Sequence, residues 1–107
     1  MTTTPKQLDQ SALTATLTTI LYTTPALTET IIKEIVLCNT DTVSRDVTIR
    51  AGDGTAIKNT ILDAVTLAAG ETQFYSLSTQ ILTTETITGG ASAGAVVSCT
   101  ITGVEIT

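Results

Sequence analysis

The chain has 107 residues, 14% of them charged, no histidine, and a net charge of −5. Five scattered basic residues (Lys6, Lys33, Arg45, Arg50, Lys58) do not make the clustered basic patch that phosphate recognition needs, so nucleic acid is not an expected partner. Without histidine, the commonest general base and most transition-metal sites are missing, and no catalytic residue, metal ligand or cofactor is expected.

In chain order, residues 1–14 combine threonine, Pro5, glutamine and a few charges, and read as an extended N-terminal arm that orders on a partner. Pro5, Lys6, Leu8 and Leu13 are its expected contact residues. The first ten residues lack the basic and apolar blocks of a secretory leader, and no apolar run approaches the ~18 residues that would cross a membrane. No membrane partner is therefore expected.

Residues 15–107 read as a single domain. Twenty-six threonines, alongside abundant Ile, Val and Leu, favour strands, because β-branched side chains lose χ1 freedom in helices and suit a pleated surface. "ATLTTILY" (15–22) is the first expected strand, ended by Pro25. "TIIKEIVLCNT" (30–40) is the second. Alternation puts Ile31, Ile35 and Leu37 on one face and Ile32, Val36 and Cys38 on the other, with Lys33 and Glu34 interrupting both. A strand apolar on two sides needs a second cover. Ile31, Lys33, Glu34, Ile35 and Leu37 are therefore the candidate interface with another copy. The two charges serve either as intersubunit ion pairs or as edge-strand guards against wrong pairing.

After an "NTDT" turn, "RDVTIRA" (45–51) points Val47 and Ile49 inward and Asp46, Thr48 and Arg50 outward. "GDGT" (52–55) supplies a glycine turn, residues 56–67 one or two short strands, and "AAGET" (68–72) another turn. "TQFYSL" (72–77) carries the single phenylalanine. "QILTTETITGG" (80–90) precedes a closing strand in "AVVSCTITGVEIT". There, Val97, Cys99 and Ile101 share one parity and Val104 and Ile106 the other, so a bulge is expected at Gly103. Some seven to eight antiparallel strands separated by Gly, Asn and Asp turns predict an all-β fold, a β-sandwich of jelly-roll type.

Cys38 and Cys99 are expected as reduced core thiols, a disulfide between them being the lesser alternative. Two cysteines without histidine do not make a zinc site. The acidic residues lack the spacing of a calcium loop, and "AGDG" lacks the continuation of a phosphate loop. Absence of tryptophan weighs against a sugar-binding surface.

Four stretches resemble small virion proteins of tailed bacteriophages: "PKQL" (5–8), "LYTTPALTETIIKEIVLCNT" (21–40), "LAAGET" (67–72) and "TITGGASAGAVVSCTITGVEIT" (86–107). Residues 41–66 and the "ILTTET" turn depart from that pattern. The resemblance implies a structural protein of the virion, assembled in the bacterial cytoplasm. Within that class the first expectation is a capsid decoration (cement) protein, a homo-oligomer with a trimer favoured, bound to the major capsid protein or another virion protein. A tail, baseplate or fibre-adaptor component is the alternative, and a small carbohydrate- or cell-surface-binding module the second.

Overall fold

The computed structural model describes residues 2–107, and Met1, the first residue of the expected arm, lies outside them. Eight strands run in chain order: β1 Thr3–Ala12, β2 Ile20–Thr23, β3 Glu29–Asn39, β4 Arg45–Gly52, β5 Thr60–Leu67, β6 Thr72–Ile81, β7 Thr86–Ala91 and β8 Val97–Ile106. One 3-10 turn, Ile57–Asn59, precedes β5. They form two four-stranded antiparallel sheets, one ordered β1-β8-β3-β6 and the other β2-β7-β4-β5. That double Greek-key order is a jelly roll, as the strand pattern predicted.

The core lies between the sheets. Ile32, Ile35 and Leu37 from β3, Val97, Cys99 and Ile101 from β8, and Ile81 from β6 meet Val47 and Ile49 of β4, Ile87 of β7 and Leu67 of β5. Asn39 closes one end. Its buried amide donates to the carbonyls of Val43 (2.9 Å), Leu67 (3.1 Å) and Ala68 (3.2 Å) and accepts from Asp41 N (3.0 Å), so its burial leaves no polar group unpaired. In the "AAGET" turn, Gly70 takes φ 73°, which a Cβ would disfavour.

The N-terminal segment corrects the expectation of an arm. Residues 3–12 are a full edge strand paired along the length of β8, from Thr3 opposite Ile106 to Ala12 opposite Ser98. Leu8 is buried against the core and Leu13 is completely enclosed. The polar character of the segment reflects its place at a sheet edge, where only one side needs a partner strand. The expected first strand shrinks to Ile20–Thr23. Residues 14–19 form a loop held to the flank of β7 by Gly89 N donating to Thr19 O (3.0 Å) and Ala91 N to Thr14 O (2.9 Å).

A second correction concerns Gly103. β8 runs through it without a bulge. Val97, Cys99, Ile101, Gly103 and Glu105 face inward in unbroken alternation, and Val104 and Ile106 belong to the outer surface. The bulges lie in the two neighbouring strands at the same level, between Gln7 and Asp9 of β1 and between Ile32 and Glu34 of β3. Both bulges crowd this point. A Cβ on Gly103 would collide with the Ile31 carbonyl and come within 2.9 Å of Leu8 Cδ1. The glycine therefore marks two bulged neighbours, not a bulge of its own.

Candidate functional site

The β3 bulge resolves the two-sided strand. Its extra residue is Lys33, which sits beside Glu34 and shifts the alternation by one. Thr30 and Ile32 before it, and Ile35, Leu37 and Asn39 after it, all face the core. Ile35 and Leu37 are 0% exposed within a single chain, so the assignment of these two to an interface is corrected: they are core residues. Ile31, Lys33 and Glu34 do lie on the outer surface, joined there by half-buried Val36 and Cys38.

Residues opposite one another in antiparallel strands point to the same side, so the register maps this outer face. One row is Phe74, Val36, Thr100 and Gln10. Another is Gln80, Ile31, Val104 and Pro5. A third ends the sheet with Glu29, Ile106 and Thr3. Phe74 is 68% exposed. Charge is confined to Lys33 and Glu34 in the middle and Glu29 at one end, where Gln80 Nε2 donates to its carboxylate (3.0 Å). Among the described residues the ion pairs are Lys6–Glu105, Arg45–Asp41 and Lys58–Asp53, and neither Lys33 nor Glu34 takes part. The outer face continues round the sheet end into an open cleft of about 690 Å³ lined by Leu27, Thr28, Glu29, Leu82, Thr83, Ile106 and Thr107. Leu27 is 92% exposed there.

Alternation read without the bulge missed Val36, Phe74, Val104 and Ile106. The signal was present, since Val104 and Ile106 stand on the parity opposite to Val97, Cys99 and Ile101. A strand whose second parity is also apolar has two covered faces or one uncovered one. Of the four residues expected as arm contacts, Leu8 and Leu13 are core, and Lys6 lies 3.3 Å from Glu105 across the β1–β8 pair. Pro5 remains exposed on the outer face.

The inner side of the same sheet end holds a polar network. Tyr22 of β2 hydrogen-bonds Thr30 Oγ1 (2.9 Å) and donates to Glu105 Oε2, which also takes the Lys6 ion pair. Burial, and then the carboxylate beside it, push the Tyr22 phenol up to about 12. The Tyr22 hydroxyl, and then Lys6, hold the Glu105 carboxyl below its ordinary value. At the opposite end of the sandwich, where β3 turns into β4, Arg45 and Asp41 form a 2.7 Å pair that, with the Thr42 amide, lowers the Asp41 carboxyl. These groups are hydrogen-bonded or ion-paired with one another. No group of three or more His, Cys, Asp or Glu side chains among the described residues could hold a metal ion. No helix among them is long and apolar enough to cross a membrane.

Both thiols are free. Cys38 pairs with Ser98 and Cys99 with Leu37, so the two cysteines stand on opposite faces of one sheet and cannot reach disulfide geometry. Cys99 is buried, which pushes its thiol up to about 12, with Asp9 adding to the shift.

No family model matches the chain, and no curated protein matches it in sequence. Solved structures do resemble it in fold. A capsid chain of the infectious bursal disease virus T13 particle superposes with a TM-score of 0.58 at 13% identity over 98% of this chain. A subunit of the disulfide-linked pili of Bacillus endospore appendages superposes with 0.52 at 19% identity over all of it. The chain spans about a third (31%) of the viral capsid chain but matches 91% of the appendage subunit. At these identities the likeness establishes a shared jelly-roll fold.

Proposed function

We propose that the chain is a structural subunit of a virus particle, and more narrowly a decoration protein that binds its own copies and the head shell of a bacteriophage. The observation that carries this reading is the outer face of the β1-β8-β3-β6 sheet. Exposed Phe74 and the half-buried Val36, Ile31, Val104 and Ile106 put five apolar side chains on a face otherwise lined mainly by hydroxyls and amides, around Lys33 and Glu34, which take part in no ion pair among the described residues. Covering such a surface releases about 25 cal/mol per Å² of apolar area, less the cost of association. Large exposed apolar patches mark contact surfaces more often than they mark solvent-facing ones. The fold likeness to a viral capsid chain supports the same class, as does the resemblance of residues 21–40 and 86–107 to phage virion proteins.

The test is quantitative mass spectrometry of virions purified from the culture that produces the protein. A head decoration protein repeats with the closed symmetry of the shell and is present in many copies per particle, a tail component in few. Absence from purified particles overturns the reading.

One observation favours a second reading, a subunit of an extended appendage such as a fibre or pilus. The spore-appendage subunit is matched over nearly its whole length, the viral chain over only about a third. Electron microscopy of the purified protein separates the two: filaments support the appendage, and closed oligomers that bind heads support the shell.

A further inference from the structure

Four strands lie at sheet edges, and three of them carry features that block pairing with another chain. β1 has Pro5, Lys6, Asp9 and a bulge at Leu8. β2 is only four residues long. β5 has Asp63, a left-handed residue at Ala64 (φ 47°) and two register breaks against β4. These are the devices by which sheet proteins keep their edges from joining: proline, charge, shortness and bulging. The fourth edge, β6, is ten residues long, reads "TQFYSLSTQI", and contains neither a charge nor a proline. Its one irregularity, at Ser76–Thr79, lies on the side that pairs with β3, opposite the Lys33 bulge.

We infer that the β6 edge, Thr72–Ile81, is an assembly edge that pairs antiparallel with β6 of a second copy of this chain. The inference rests on the self-associating subunit proposed above and specifies where one contact forms. A second copy is the occupant that charge favours. The molecule carries −5, so most approaches of two copies bring like charges together. β6 is lined by Gln73, Ser76, Ser78, Thr79 and Gln80, which neither repel their own image nor attract a charged peptide. Two-fold pairing satisfies the open amides and carbonyls of both edges and joins two four-stranded sheets into one of eight strands. It also lays the Phe74 end of one strand beside the Gln80 end of the other, so the exposed ring gains a neighbour and the two apolar outer faces become continuous. The contact is two-fold, and a trimer would have to be built on the apolar face instead.

The experiment measures mass by light scattering together with amide hydrogen exchange. The unaltered protein is expected at about twice its 11.1 kDa chain mass, with alternate amides of residues 72–81 gaining protection as concentration rises. Ser76→Lys/Ser78→Lys places charge on the edge and is expected to return the protein to monomer mass with its circular dichroism unchanged. Should that variant misfold, exchange on the unaltered protein decides alone. An oligomer whose β6 amides exchange freely, or one that survives Ser76→Lys/Ser78→Lys but dissociates on Val36→Lys/Val104→Lys, overturns the edge while leaving self-association intact. A protein that is monomeric at every concentration overturns both.

Discussion

The Tyr22 hydroxyl donates to the Glu105 carboxylate across the interior, tying the short strand β2 of one sheet to the final strand β8 of the other. Within its own sheet β2 is held by β7, with Tyr22 opposite Ile87 and Thr23 opposite Thr86, so this hydrogen bond and the Thr30 contact add a polar link between the two sheets. Tyr22→Phe keeps the ring and removes both. A hydrogen bond to a charged group contributes about 1.5–3 kcal/mol, and a loss in that range is expected in urea denaturation at neutral pH.

The same bond fixes a pH dependence on both sides. Glu105 has its folded pKa below the ordinary 4.5. Its contribution is therefore complete above that value and is lost as pH falls through the lower folded one. Tyr22 has its folded pKa raised from 10.0 to about 12. Its contribution is complete below 10.0 and is lost as pH rises toward 12. Denaturation midpoints of the native protein are expected to fall at both extremes. Tyr22→Phe is expected to flatten the alkaline limb, and Glu105→Gln to lessen the acid one. An alkaline limb unchanged in Tyr22→Phe would place the titrating group elsewhere.

Gly103→Ala tests the crowding between the two bulges. Its methyl group meets the Ile31 carbonyl, a backbone atom that cannot swing aside, and Leu8 beyond it. Overpacking of this kind costs about 1–3 kcal/mol, read as a lower melting temperature. A variant as stable as the native protein would show that the bulged strands give way freely.

Deletion of residues 2–12 separates an edge strand from an arm. An arm can be removed without harm to the domain. Loss of β1 instead uncovers the length of β8 and removes Leu8 from the core, and the truncated chain is expected to unfold or aggregate. A folded, monodisperse product would restore the arm.

The contrast also shows what the sequence made legible. Strands β3, β4 and β8 carry alternating apolar residues because they are interior strands with one face in the core, and their alternation was readable. β1 is an edge, its inward positions include Lys6, Asp9 and Ser11, and its bulge at Leu8 breaks the period. Only Pro5 and Lys6, both typical of guarded edges, pointed to a strand. The candidate face was half legible for a related reason. Lys33 and Glu34 were visible as a break in the pattern, but alternation alone does not say that the break is a bulge. That one inserted residue decides whether Ile35 and Leu37 point out or in.

The two cysteines supply a probe of the outer face. Cys99 is buried, with its thiol pushed up to about 12, and the thiolate is the reactive form. Cys38 is half-buried on the outer face, in line with Ser98 and Thr72. Under native conditions a maleimide reagent is expected to modify Cys38 alone, and Cys99 only after unfolding. When the outer face is covered, in an oligomer or on a particle, labelling of Cys38 is expected to slow while that of Cys99 stays negligible. Equal labelling of Cys38 in the dispersed and the assembled protein would mean that the contact lies elsewhere, and the apolar rows of Phe74, Ile31 and Val104 would then need another explanation.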